Sequence, residues 1–190
     1  MASVTYAIIR HGQTDWNRLG LFQGSSDTPL NDTGRQQARD LVPVLQASGI
    51  EWSAVVSSPL FRARETAGIV AEGLGLRLGA AYDELVERDY GRHEGQPDET
   101  EKKSDPSVEP LESVVLRGVA GLDRVARDHG DAHVVVVAHG SIIRYTLARL
   151  AGRPMPTIAN GLLTTLERTP AGEWRVDVVN GTPVEVRSQP

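Results

Sequence analysis

Two histidines end two apolar, β-forming runs drawn from distant parts of the chain. Val4 to Ile9 leads into Arg10-His11-Gly12, and Val134-Val135-Val136-Val137-Ala138 leads into His139-Gly140. A histidine at the carboxyl end of a strand can turn one ring nitrogen toward a ligand while a backbone carbonyl holds the other and fixes the tautomer. An arginine beside it can bind oxyanions through two parallel N–H donors. Gly12 would let the backbone approach closely. The chemistry open to such a group is attack of an imidazole nitrogen on phosphorus, with guanidinium on the phosphate oxygens.

Composition narrows the setting. The chain has 190 residues, 39% hydrophobic and 24% charged, and carries a net charge of −5. This suits one ordinary domain over residues 1–190. Without cysteine there is no disulfide, thiolate metal site or cysteine nucleophile. No apolar run reaches the roughly 20 residues of a membrane span, so a protein with no membrane partner is expected and a cytoplasmic location is the default. The acidic balance and lack of a basic tract argue against nucleic acid as a partner. Among the basic residues only Lys102 and Lys103 are lysines. An anion site must therefore be built almost wholly from arginine, which suits forked recognition of phosphate.

The elements that must position these groups follow from periodicity. Val4 to Ile9, Ala54-Val55-Val56, Leu76 to Leu78 and His133 to Ala138 read as strands. Helices are expected after Asn31-Asp32-Thr33, with Ala38, Leu41, Val42 and Leu45 as the apolar stripe, and after Ser58-Pro59, with Ser58 as N-cap and Pro59 in the first turn. Pro43 inside the first of these predicts a kink or an earlier end. Two more helices run from Leu111 toward Gly130 and from Ser141 to Ala151. Arg10 to Asn31 reads as a long loop, of the kind that is usually functional, with Trp16 and Phe22 as anchors. Gln96 to Pro110, with three prolines, reads as an exposed, mobile, lid-like excursion. Leu162 to Glu167 and Trp174 to Val179, around Pro170-Ala171-Gly172, form an antiparallel hairpin. Strands alternating with helices imply an α/β fold, a three-layer α/β/α sandwich with a mostly parallel central sheet. In such sheets ligands bind at the carboxyl ends of the strands, where both histidines lie.

Four segments, in order, resemble the histidine phosphatase superfamily, which includes the cofactor-dependent phosphoglycerate mutases. They are Arg10-His11-Gly12-Gln13-Thr14-Asp15-Trp16-Asn17, Ser57-Ser58-Pro59-Leu60-Phe61-Arg62-Ala63-Arg64-Glu65-Thr66-Ala67, Glu87-Arg88-Asp89-Tyr90-Gly91-Arg92-His93-Glu94-Gly95 and Val137-Ala138-His139-Gly140. Asn160 and Asn180 in the tail also look family-like. The resemblance implies that His11 is the nucleophile, that Arg10 and Arg62 clamp phosphate, that His139 donates a further hydrogen bond and that Glu87 is the proton donor. It places Asn17, Gln23, Gly24 and Gly140 among the phosphate-binding residues. It implies no metal and no cofactor. Glu84 competes with Glu87 for the acid role, and Glu87 is preferred because it stands four residues before Gly91 and eight before Gly95. His93, His129 and His133 read as surface residues.

The expected activity is hydrolysis of a small phosphorylated metabolite through a phosphohistidine. A cofactor-dependent phosphoglycerate mutase and a non-catalytic phospho-ligand-binding module are the alternatives. The short, acidic segment 96–110 and the length of the chain favour the phosphatase branch. Two departures fall near the substrate entrance: Val108-Glu109-Pro110 stands where many members have Gly-Glu-Ser, and His93 stands where Trp is common. Dimers are common among relatives, so a homodimer is allowed. A serine hydrolase is set aside because His139 and Ile143 occupy the glycine positions of the G-x-S-x-G elbow. No HExxH spacing, phosphate-binding G-x-x-x-x-G-K-[ST] loop or dinucleotide fingerprint is present.

Overall fold

β-Branched runs build the centre of the sheet because their side chains pack well on a pleated surface. The computed structural model describes residues 3–98 and 105–184. In it β1 (Val4–Arg10), β2 (Trp52–Ser57), β3 (Leu78–Ala81) and β4 (His133–Ala138) run parallel. The antiparallel strands β5 (Leu163–Arg168), β6 (Trp174–Val179) and β7 (Thr182–Pro183) extend the sheet beyond β1. The order is β3-β2-β4-β1-β5-β6-β7.

Alternation along the central strands feeds two cores. Ala7, Ile9, Val135 and Val137 pack against Leu41 and Leu45 of α2 (Asp32–Ala47) and Ala63, Ala67 and Val70 of α3 (Phe61–Gly73). Tyr6, Ile8, Val134 and Val136 pack against Val114, Leu122 and Val125 of α4 (Leu111–His129) and Ile142 and Leu147 of α5 (Gly140–Ala151). The sheet is covered on both faces, which is why β1 and β4 are continuous apolar runs. The result is the expected α/β/α sandwich. Its registration matters for function: Arg10 pairs with Ala138, and the His11 amide donates to the Ala138 carbonyl at 3.0 Å. Neighbouring strands thus end together, with His11 and His139 side by side.

Several boundaries differ from the sequence expectation. The loop after β1 contains a four-residue helix, Asp15–Arg18, held by a capping box in which Thr14 and Asn17 satisfy each other's backbone donors. α2 continues through Pro43 to Ala47. Pro43 and Arg39 both lie on the exposed side, so the Arg39 carbonyl that loses its partner can turn to water. α3 begins two residues after Pro59, with Leu60 at its N-cap position and no side-chain cap of its own. The amide of Phe61 instead donates to Asp27 Oδ1, in the preceding loop, at 2.7 Å. β3 lies later than Leu76 to Leu78, at Leu78–Ala81, beside β2.

The excursion from Gln96 to Pro110 is exposed at Gln96, Pro97 and Asp98, and residues 99–104 lie outside the described residues. Its described parts are fastened. The Gln96 carbonyl accepts the Phe22 amide at 3.0 Å, and the Asp98 amide donates to Gly20 at 2.8 Å. Val108 is buried with Phe22 and Tyr90. Glu109 accepts Arg117 Nε at 2.8 Å, so the segment is anchored to α4 although the residues on either side of this Glu differ from Gly-Glu-Ser.

Candidate active site

The carboxyl ends of β1 and β4 open into a cleft of about 300 Å³, walled by Arg10, His11, Asn17, Gln23, Gly24, Arg62, Glu87 and Gly140, with Tyr90, Ser141, Arg144 and Asn160 beside them. His11 is at its floor. Its Nδ1 lies 2.7 Å from the Gly12 carbonyl, and its Nε2 accepts Arg62 Nε at 3.2 Å. A carbonyl can only accept, so Nδ1 carries the proton and Nε2 keeps its lone pair. Burial, and then the charges of Arg62 and Arg10, hold the His11 pKa well below the usual histidine range. The ring is therefore neutral and nucleophilic at neutral pH. The Asn160 side chain donates to the His11 carbonyl at 2.7 Å, and the Thr66 hydroxyl accepts the Gly12 amide at 3.0 Å.

Arg62 is fully buried on α3. Its Nη1 and Nη2 donate to the carbonyls of Ser26 and Gly24 at 2.8 and 2.7 Å, so it fixes the loop and faces His11 at once. Gly24 makes this possible. Its φ is +52°, and a Cβ there would come within 2.0 Å of Glu94 Oε1. Glu94 in turn accepts the amides of Ser25 and Ser26, each at 2.8 Å. Arg10 donates through Nη1 to the Ile158 carbonyl at 2.7 Å. Gly140 leaves room for it, since a Cβ would lie 3.3 Å from Arg10 Nε. Gly12 allows a close backbone approach, and the approach is to α2: a Cβ there would strike the Gly34 carbonyl at 2.2 Å.

His139 does not line the cleft. It is fully buried beside His11, with ring centroids 5.1 Å apart. Its Nε2 meets Ser58 Oγ at 2.8 Å. Burial and the nearby Arg62 keep it well below the usual histidine pKa. Among the described residues, two buried nitrogens of this cluster have no hydrogen-bond partner, Arg10 Nε and His139 Nδ1.

Glu87 enters the cleft from the opposite side. Its Oε1 accepts the amides of Arg88 and Ile142 at 2.8 and 3.1 Å, and Oε2 accepts that of Ser141 at 3.0 Å, at the first turn of α5. Arg117 of α4 ties the Glu87 carbonyl, at 3.0 Å, to the carboxylate of Glu109, at 2.9 Å. Glu84, the competing acid, is ion-paired with Arg124 at 2.9 Å and is not on the cleft wall. Tyr90 stacks on Phe22 at 4.5 Å and meets Ser141 Oγ at 2.6 Å. Burial, then Glu87, raises its hydroxyl pKa.

The neutral donors are set by the long loop. Gln23 Oε1 accepts the hydroxyls of Thr14 and Thr28 at 2.8 and 2.5 Å, which leaves its amide nitrogen to donate. Asn17 Oδ1 accepts the Thr14 amide at 3.2 Å and Asn160 Nδ2 at 3.4 Å. Among the described residues no group of three or more His, Asp or Glu is placed to hold a metal ion. Among them, too, no helix is long and apolar enough to cross a membrane.

Three of the remaining sequence expectations change. His93 is buried, with Nε2 2.6 Å from Asp105 Oδ2, because it closes the 105–110 segment against the cleft wall. His133 and His129 are half-buried, and His133 Nδ1 accepts the Thr5 amide at 2.9 Å. Ser58 serves His139 rather than capping α3. Glu94, Thr66, Asp27 and Arg117 were not singled out for the site. Glu94 and Thr66 sit inside motif segments and were within reach; Asp27 and Arg117 carry no local signal.

The model of the histidine phosphatase superfamily (branch 1) matches residues 6–182. The chain is 35% identical over 182 residues to the uncharacterized phosphatase PhoE of Bacillus subtilis, covering 91% of this chain and 92% of PhoE. It is 30% identical over 204 residues to a 2,3-bisphosphoglycerate-dependent phosphoglycerate mutase of Azorhizobium caulinodans, covering 95% and 90%. A mycobacterial glucosyl-3-phosphoglycerate phosphatase, solved with VO3, superposes with a TM-score of 0.80 at 27% identity, over 94% of this chain and all of that one at 100%. The chain belongs to the histidine phosphatase superfamily, branch 1.

Proposed function

We propose that this protein is a phosphomonoester phosphatase that works through a phosphohistidine on His11 Nε2, without a metal. The carrying observation is the pair of unpartnered buried nitrogens, Arg10 Nε and His139 Nδ1, around a neutral imidazole whose tautomer is fixed. A buried donor left unmade costs about 1–3 kcal/mol. Phosphoryl oxygens held on His11 Nε2 would satisfy Arg10 Nε on the cleft wall and, with the two rings 5.1 Å apart, reach His139 Nδ1, while Nη groups of Arg10 and Arg62 and the amides of Asn17 and Gln23 would satisfy the rest.

The steps balance as follows. The His11 Nε2 lone pair forms a bond to phosphorus while the bond to the leaving oxygen breaks. Glu87 gives its proton to that oxygen. Its Oε1 already accepts two amides and Oε2 only one, so Oε2 has the site for the proton. Water then attacks phosphorus, Glu87 takes the water proton, and the P–N bond breaks to free phosphate and His11. The small phosphorylated metabolite is the only partner this cycle needs.

The phosphatase reading is favoured over mutase by the acidic residues of segment 96–110 and by the closer likeness to PhoE. The likeness to the Azorhizobium mutase supports the second reading. The deciding experiment is phosphate release from a metabolite panel beside a mutase assay primed with 2,3-bisphosphoglycerate. Release should dominate; mutase flux far above release would reverse the assignment. No turnover of para-nitrophenyl phosphate above a His11→Ala control would leave only the binding-module reading.

A further inference from the structure

Among the described residues, the cleft wall holds one guanidinium that the proposed cycle does not use. Arg144 lines the cleft from α5. Its Nε donates to the Met155 carbonyl at 2.9 Å, and its ring neighbour is Tyr145, 5.6 Å from the guanidinium carbon. Among the described residues it has no carboxylate partner, and its Nη groups make no hydrogen bond. Asp98, which also lines the cleft, is tied to Gly20 through its amide at 2.8 Å, and among the ion pairs of the described residues none joins it to Arg144.

Its distance from the phosphate site follows from helix geometry. Gly140, against which Arg10 Nε packs, and Arg144 are four residues apart on α5. Residues so spaced lie on one face, roughly 5–6 Å apart at Cβ. The same short loop also holds both arginines: Ile158 takes Arg10, and Met155 takes Arg144. A second rigidly held positive fork therefore lies about one helical turn beyond the phosphate clamp.

Resting on the phosphatase reading above, we propose that Arg144 sets substrate choice by binding a second anionic group on the leaving alcohol, a few bonds from the phosphoester oxygen. A carboxylate or a second phosphate supplies that charge equally well. A bidentate partner for Arg144 is worth about 10- to 100-fold in affinity. Neutral leaving groups of the same size forgo it.

The test compares kcat/KM for 3-phosphoglycerate, glycerol 3-phosphate, fructose 1,6-bisphosphate and para-nitrophenyl phosphate, in wild type, Arg144→Met and Arg144→Lys. Glycerol 3-phosphate replaces the carboxylate by a neutral hydroxymethyl group. Wild type should prefer 3-phosphoglycerate or the bisphosphate over glycerol 3-phosphate by about 10-fold or more. Which of the two leads distinguishes carboxylate from phosphate. Arg144→Met should erase that preference and leave para-nitrophenyl phosphate turnover within about twofold, and Arg144→Lys should restore part of it. No preference in wild type, or an equal loss on all four substrates in Arg144→Met with an unchanged melting temperature, would overturn the inference. Loss of para-nitrophenyl phosphate turnover in the wild type itself would instead overturn the phosphatase reading.

Discussion

Which nitrogen of a histidine carries the proton decides the chemistry at the residue scale. His11 has Nδ1 spoken for by the Gly12 carbonyl, leaving Nε2 as the nucleophile. For His139 to donate from the unpartnered Nδ1, its Nε2 must accept, and the Ser58 hydroxyl 2.8 Å away is the donor that sets it so. Ser58→Ala should lower kcat by roughly 10- to 100-fold, the scale seen when the partner orienting a metal-bound imidazole is removed. KM should move little, Ser58→Thr should recover most of the loss, and ¹⁵N spectra of the wild type should show the His139 proton on Nδ1. A proton on Nε2 would refute the assignment. Glu87→Gln should slow alkyl phosphates by about 10²–10⁴-fold and aryl phosphates much less, since a good leaving group needs no proton. Equal losses on both would indicate a different acid. That His11, Arg10, Arg62 and Glu87 share one cleft was legible from the ordered motifs, and for Arg10 and His11 from the strand end as well. The pairing of Ser58 with His139 was not, because Ser-Pro before a helix reads equally well as a local cap.

At the element scale, loops that look free in sequence are fixed by charges from far away. Glu94 holds the Ser25–Ser26 turn, Asp27 caps α3, and Arg117 on α4 ties the backbone of Glu87 to Glu109. Such contacts have no periodicity or local spacing, so only helix and strand registers were readable beforehand. The fastening of segment 105–110 through His93, Val108 and Glu109 went unread for the same reason. Glu109→Ala leaves a mostly buried Arg117 short of two charged hydrogen bonds. Urea unfolding should show a loss of about 2–3 kcal/mol. Because Arg117 also positions Glu87, turnover of alkyl phosphates should fall more than that of para-nitrophenyl phosphate. A stability change with the two substrates affected alike would separate Glu109 from the acid.

At the scale of the whole molecule, the sandwich was legible because β1 and β4 are apolar on both faces and the helices carry clear stripes. The helix Asp15–Arg18 is too short to show a period, and Pro43 does not end α2 because its missing hydrogen bond falls on the solvent side. The architecture buries two histidines side by side, His11 on the cleft and His139 next to it, and that has a pH signature. Both have folded pKa values well below the usual 6.5, whereas the unfolded chain titrates near that value. Below about pH 6.5 the unfolded state binds more protons, so stability falls as pH drops and is regained as pH rises to neutrality. Each histidine contributes up to about 1.4 kcal/mol per pH unit in that window. Unfolding free energies measured between pH 7 and 5 without phosphate should show this slope, and His139→Gln should reduce it. A flat profile would mean the histidines are charged in the folded state.

The most direct test is to mix the enzyme with substrate, quench in alkali within the turnover time and map the phosphate by mass spectrometry. Wild type should carry one acid-labile, alkali-stable phosphate on His11, and His11→Ala should carry none and show no turnover. Turnover without such an intermediate, or phosphate on another side chain, would contradict the assignment of His11 as the group that accepts phosphate.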